Sequence, residues 1–179
     1  MATIIVEESP LSKFLFSNTK MAWFWLVVRL YIGWQWLQAG IDKATNPAWI
    51  GPEAGGAITG FIKGALTKTE GLHPDVSGWY GAFLQNVVLP NASLWSHMIT
   101  YGEILVGVGL IVGAFTGIAA FFGLLMNLNY LLAGTVSSNP ILFVLSIGVI
   151  LAWKISGFLG LDRFLLPMLG TPWRGKVSK

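Results

Sequence analysis

The chain has 179 residues, of which 54% are hydrophobic and only 11% are charged. Soluble domains carry about 25% charged residues, so a surface wetted on all sides is excluded, in keeping with a mean hydropathy of +0.67. The net charge of +3 comes from basic residues gathered near the chain ends, a pattern of membrane orientation rather than of nucleic-acid binding. The length suits one domain and leaves little room for a soluble catalytic domain. Cysteine is absent, which removes disulfides, thiolate metal sites, iron–sulfur clusters and a cysteine nucleophile. The two histidines are His73 and His97. His73 falls in a polar stretch, so no haem held by two histidines is expected, and no motif points to a metal or a flavin.

Residues 1–20 lack the layout of a cleaved signal peptide. Ser9-Pro10 is a helix start, and Leu11, Phe14 and Leu15 follow at helical spacing, which predicts a short helix on the cytoplasmic membrane face. A disordered tail is the alternative.

Four apolar stretches then approach the roughly 20 residues needed to cross a hydrocarbon core: residues 21–41, 94–112, 115–134 and 141–161. The last three are joined by short turns at 113–117 and 135–140, which forces antiparallel neighbours. The fold expected is an all-α, integral membrane four-helix bundle over 21–173, followed by a basic cytoplasmic tail, 174–179. Lys13, Lys20, Arg163, Arg174, Lys176 and Lys179 flank one side, whereas the long loop 42–93 has only Lys43, Lys63 and Lys68. Both termini are therefore expected in the cytoplasm and the loop outside, in a multi-pass protein of the cell membrane. Within that extracytoplasmic loop two short helices are expected, near Phe61–Leu66 and Trp79–Val88. A lid over a site and a plain packing cap both fit them.

Ionisable groups inside a span cost roughly 2.5–3.5 kcal/mol on insertion scales, so each needs a partner or a function. In the first span Tyr31, Gln35, Gln38 and Asp42 share one face at about 100° per residue, while Arg29 shares the opposite face with Gly33, Trp36 and Gly40. In the second, Ser96, Thr100, Glu103 and Gly107 share a face. In the third, Gly123, Asn127, Tyr130 and Gly134 do. The candidate pocket is Gln35, Gln38, Glu103, Asn127 and Tyr130, with Asp42 at its mouth. Asn and Gln also serve as plain helix bridges, at about 0.6 kcal/mol per interaction, but a lone carboxyl such as Glu103 must be protonated or paired. Arg29 can pair with Glu103 or a carbonyl, or snorkel, as Lys154 is expected to do. Most of the nine tryptophans lie near span boundaries. Trp34 and Trp36 lie deeper and offer flat walls to a ring-shaped ligand. Gly109-xxx-Gly113 is a small-residue packing motif that serves either a homodimer or packing inside one chain.

Several strings resemble the DoxX/DoxD family of bacterial and archaeal membrane proteins: Arg29-Leu-Tyr-Ile-Gly-Trp-Gln-Trp-Leu-Gln-Ala-Gly-Ile-Asp-Lys43, Tyr101-Gly-Glu-Ile-Leu-Val-Gly-Val-Gly-Leu110, Asn127-Leu-Asn-Tyr-Leu-Leu-Ala-Gly-Thr135 and Gly160-Leu-Asp-Arg163. The resemblance runs from Met21 to Trp173. It implies a membrane redox subunit akin to DoxD, expected as the large subunit of thiosulfate:quinone oxidoreductase, which passes electrons from thiosulfate to membrane quinone beside a second subunit, DoxA. Quinone is then a substrate, with no haem, metal or flavin expected. Glu103 and Tyr130 are the catalytic candidates. Gln35, Gln38, Asp42, Asn127 and Trp34 are candidates for binding the quinone, and Arg29 and Lys43 for binding an anionic donor. Two other readings stay open: a non-enzymatic scaffold that recruits soluble redox or thiol-stress proteins, and, less favoured, a solute or proton pathway.

Overall fold

The computed structural model describes residues 8–170. The tail 174–179 and Trp173 lie outside them, as do residues 1–7. The described residues form helices and turns with no strand. Ser9 caps α1, Pro10–Ser17, through the Ser12 N–H. The Trp25 indole ties α1 to the next helix by donating to the Leu15 carbonyl at 2.7 Å. Lys154 stands 3.6 Å from the Glu8 carboxylate on the same side of the molecule.

Four helices pack side by side: α2, Ala22–Ala44, then α5, Ala92–Val112, α6, Thr116–Leu132, and α7, Asn139–Leu151. Between the first two lie α3, Gly56–Leu66, and α4, Gly78–Phe83, the latter running through a π turn at Leu84–Val88 into α5. The continuous helical run Gly78–Val112 is long and apolar enough to cross a membrane; α6 and α7 are apolar but shorter.

Glycine sets a very close backbone approach between antiparallel α2 and α5. A Cβ on Gly107 would sit 2.5 Å from the Leu37 nitrogen, and one on Gly40 would sit 2.7 Å from the Ile104 side chain. Backbones that approach this closely fix the rotation of both helices, as small residues do in membrane bundles. Gly109 faces Ala119, and Gly113 faces Arg29 and Gly160, so this small-residue pair packs within the chain.

The fourth apolar stretch is broken. α7 ends at Leu151, a single turn (α8, Trp153–Ser156) follows, and the chain doubles back before α9, Asp162–Met168. Gly160 makes the reversal fit, because its Cα lies against Gly113 and the Val112 carbonyl, where a side chain has no room. The Leu161 and Asp162 N–H groups then donate to the Val112 and Gly113 carbonyls at 3.1 and 2.7 Å. Arg29, fully buried, seals the same corner. Its guanidinium donates to the carbonyls of Leu110, Ile111 and Leu159. The first two are C-terminal carbonyls that α5 cannot satisfy itself, and a cation suits the negative end of a helix. Buried Asp162 does the converse for α6, accepting from the Phe115 and Thr116 N–H groups at 2.6 and 2.9 Å.

Two apolar cores result. One joins α2, α5, α6 and α7 through Trp25, Ile32, Trp36, Leu110, Leu142 and Val149. The other holds α3 and α4 through Ile58, Ile62, Val76, Tyr80 and Leu84, and meets Ala133 at the end of α6. Polar ties lock this second layer down. Ser96 donates to the Trp49 carbonyl, Lys68 to the Gly134 carbonyl and Tyr80 to the Asn129 carbonyl, at 2.7, 2.7 and 3.0 Å. Outward faces stay apolar along α5 (Leu94, Met98, Leu105, Val108 and Val112), α6 (Ile118, Phe122) and α7 (Ile141, Val144, Leu151).

Candidate functional site

Where the second layer covers the ends of α2 and α6, the two cores leave a cavity of about 460 Å³. Its walls are aromatic: Trp36 from α2, Trp95 from α5, Tyr130 from α6, and Trp49, Phe61 and Tyr80 from the covering layer. The Trp36 and Tyr130 rings lie nearly parallel, with centroids 6.5 Å apart, and the edge of Phe61 meets Tyr130 at 6.1 Å.

One polar cluster interrupts this wall. Lys43 Nζ donates to Glu103 Oε2 at 2.7 Å, and the Tyr130 hydroxyl donates to Glu103 Oε1 at 2.7 Å. Three helices thus supply one member each. Gly40 lets the end of α2 close on α5, which brings Lys43 onto Glu103, one turn further along. Lys43 also lies over the Trp49 ring at 5.1 Å, a cation–π contact that strengthens when desolvated. Glu103 is 1% exposed and the Lys43 side chain 18%, so the carboxyl is sealed while its cation reaches the edge. Each carboxyl oxygen thus has a donor, which offsets the cost of burying the carboxyl. Chemically, the cluster offers a bound carbonyl two donors, Lys43 and Tyr130, and a carboxyl able to hold or release one proton.

The residues expected at the site divide into groups. Glu103, Tyr130, Lys43 and Gln35 line the cavity. Gln38, Asp42 and Trp34 do not: they turn outward on α2, with Trp34 58% exposed. Asn127 is fully buried but off the lining. Arg29 is at the other end of α2, on carbonyls, so it neither meets Glu103 nor shares a pocket with Lys43. Of the two tryptophans expected as flat walls, Trp36 lines the cavity and Trp34 does not, and Trp49, Tyr80, Trp95 and Asn129 join the lining unexpectedly. For Trp36 a signal existed, since it shares the buried face of α2 with Gly33 and Gly40 and lies seven residues before Lys43. The remainder come from elements whose docking no local pattern reveals. A second, shallower groove of about 350 Å³ runs between Phe115, Phe121, Trp153 and Leu166 and holds no comparable polar cluster.

All-helical architecture, apolar outer faces and a buried polar cluster in an aromatic cavity mark a helical protein of the membrane-associated class. The family model described as "TQO small subunit DoxD" matches residues 24–175, and the chain belongs to this DoxD family. TQO denotes thiosulfate:quinone oxidoreductase; the matched description makes DoxD the small subunit, which corrects the large-subunit expectation. No curated protein and no solved structure matches the chain.

Proposed function

We propose that the protein is the quinone-handling membrane subunit of a thiosulfate:quinone oxidoreductase, and that the cavity at Glu103 receives the quinone ring. The carrying observation is the Lys43–Glu103–Tyr130 cluster set into an otherwise aromatic wall. A quinone ring needs flat apolar walls and one or two donors at its carbonyl oxygens, and its reduction takes up two electrons and two protons. Lys43 or Tyr130 holds a carbonyl oxygen, and Glu103 relays a proton to it. Lys43, at the rim, links Glu103 to the solvent that replaces that proton. The electrons come from thiosulfate, two dianions joining through a new S–S bond to give tetrathionate and release two electrons. A partner subunit of the DoxA type contributes to the donor side.

In this reading α2, α5, α6 and α7 cross the membrane as a multi-pass bundle, their apolar outer faces meeting lipid. Both termini are cytoplasmic, and the layer built on α3 and α4 covers the outer mouth of the bundle. Thiosulfate-dependent reduction of a short-chain quinone, measured on the purified protein alone and with its partner, tests the proposal. Quinone reduction in either assay that is lost in Glu103→Gln supports it. Absence of reduction in both, with the fold intact, favours the scaffold reading, and solute flux into proteoliposomes would favour a pathway.

A further inference from the structure

Beneath the cavity lies a set of polar atoms that quinone handling does not use. The Trp36 indole N–H, both amide atoms of Asn127 and the Ser146 hydroxyl are buried and find no partner within the protein. They converge. A Cβ built on Gly123 would lie 2.9 Å from Trp36 Nε1, and the Trp36 ring also runs alongside Tyr130. Gly123, Asn127 and Tyr130 share one face of α6, so the indole spans that face with Asn127 between its two contacts. α7 runs antiparallel to α6, and just beyond its end Trp153 of α8 lies against Gly117. Within α7 Ser146 is fully buried and lies one helical turn from Leu142 of the cavity lining. Met126 and Leu142, neighbours of Asn127 and Ser146 along their helices, belong to the cavity lining. The three polar groups therefore lie just under its floor.

The chemistry of the set selects its occupant. Trp36 can only donate, the Asn127 amide donates and accepts, and Ser146 does either. No carboxylate is among them to hold a cation and no cation to hold an anion, while an apolar occupant would leave every group unpaired. Water accepts from one group and donates to the next, and buried waters in proteins take such positions with two to four polar partners.

We propose that Trp36, Asn127 and Ser146 form an internal water site between α2, α6 and α7. It gives the aromatic cavity a solvated underside one helical turn from Tyr130, and its existence does not depend on what the cavity binds. The test is water-to-protein magnetisation transfer by NMR on labelled protein in detergent, with Trp36→Phe assigning the indole signal. Water cross-peaks at the Trp36 indole proton and at the Asn127 side-chain amide are expected; assigned signals without them overturn the site. Thermal unfolding gives an independent sign. In a dry core, Asn127→Leu removes an unpaired amide and raises Tm, whereas at a water site it breaks hydrogen bonds and lowers Tm. A higher or unchanged Tm overturns the proposal. Should Asn127→Leu fail to fold, Ser146→Ala removes a single oxygen: weaker water cross-peaks at Asn127 support the site, and unchanged ones refute it.

Discussion

Replacing Lys43 by methionine keeps the length of the side chain and deletes its charge. The carboxyl it leaves behind is 1% exposed and retains only the Tyr130 hydroxyl as donor. Removing one partner of a buried ion pair costs about 3–5 kcal/mol, because the survivor is stranded away from water. The rim position of Lys43, 18% exposed, puts the expectation at the lower end, about 3 kcal/mol. For a chain of this size, about 2–4 °C of Tm corresponds to each kcal/mol, so thermal unfolding in detergent should fall by roughly 6–12 °C. The double variant Lys43→Met with Glu103→Leu strands nothing, since an ion pair exchanged for apolar residues of similar volume is often neutral or better. It should recover most of that loss. A single variant as stable as the parent, or a double variant worse than the single, refutes the view that these two groups depend on one another.

Three further outcomes follow from the same geometry. Glu103→Gln should retain the fold yet lower the kcat of quinone reduction about 10²- to 10⁴-fold, the range for loss of a positioned proton-transfer group, with KM little changed. Gly107→Val drives a side chain into the Leu37 backbone; overpacking costs about 1–3 kcal/mol or more, and here neither backbone can yield, so unfolding should occur several degrees lower and quinone reduction should fall as Lys43 leaves Glu103. Arg29→Met unpairs the carbonyls of Leu110, Ile111 and Leu159 at a cost of roughly 3–5 kcal/mol, given about 1.5–3 kcal/mol for each hydrogen bond from a charged group and incomplete additivity. Thermal melts and turnover assays should show lower stability with an unaltered KM for quinone, since Arg29 is remote from the cavity.

Helix faces were legible in the sequence because their periodicity is local. Ser96, Thr100, Glu103 and Gly107 are all buried, as are Gly123 and Asn127. Glu103 and Tyr130, singled out as a lone carboxyl and a phenol on converging faces, meet in one hydrogen bond. The rotation of α2 was not legible. Its polar stripe suggests a pocket-facing side, yet Gly33 and Gly40 on the other face permit an approach to α5 that no larger residue allows, and packing decides the rotation. The helix turns about 100° per residue, so Lys43 meets Glu103 while adjacent Asp42 points outward with Gln38. Trp36 rather than Trp34 walls the cavity for the same reason. Arg29 left a choice between Glu103, a carbonyl, the membrane surface and an anionic donor; it takes carbonyls, those of Leu110 and Ile111 at the end of α5 and of Leu159 in the turn after α8, and no side-chain pattern announces which ones. The cavity depends on docking α3 and α4 over α6 through Tyr80 and Lys68, contacts between residues 49 and 66 positions apart that leave no local trace.

That the cavity at Glu103 receives a quinone ring is tested most directly by photolabelling. A short-chain azidoquinone is illuminated with the protein in detergent, and the adduct is mapped by mass spectrometry. The account predicts labelling at cavity residues such as Trp36, Met126 or Tyr130, suppressed by excess unmodified quinone. Competable labelling confined to the groove between Phe115 and Leu166, or none that competes anywhere, would contradict it.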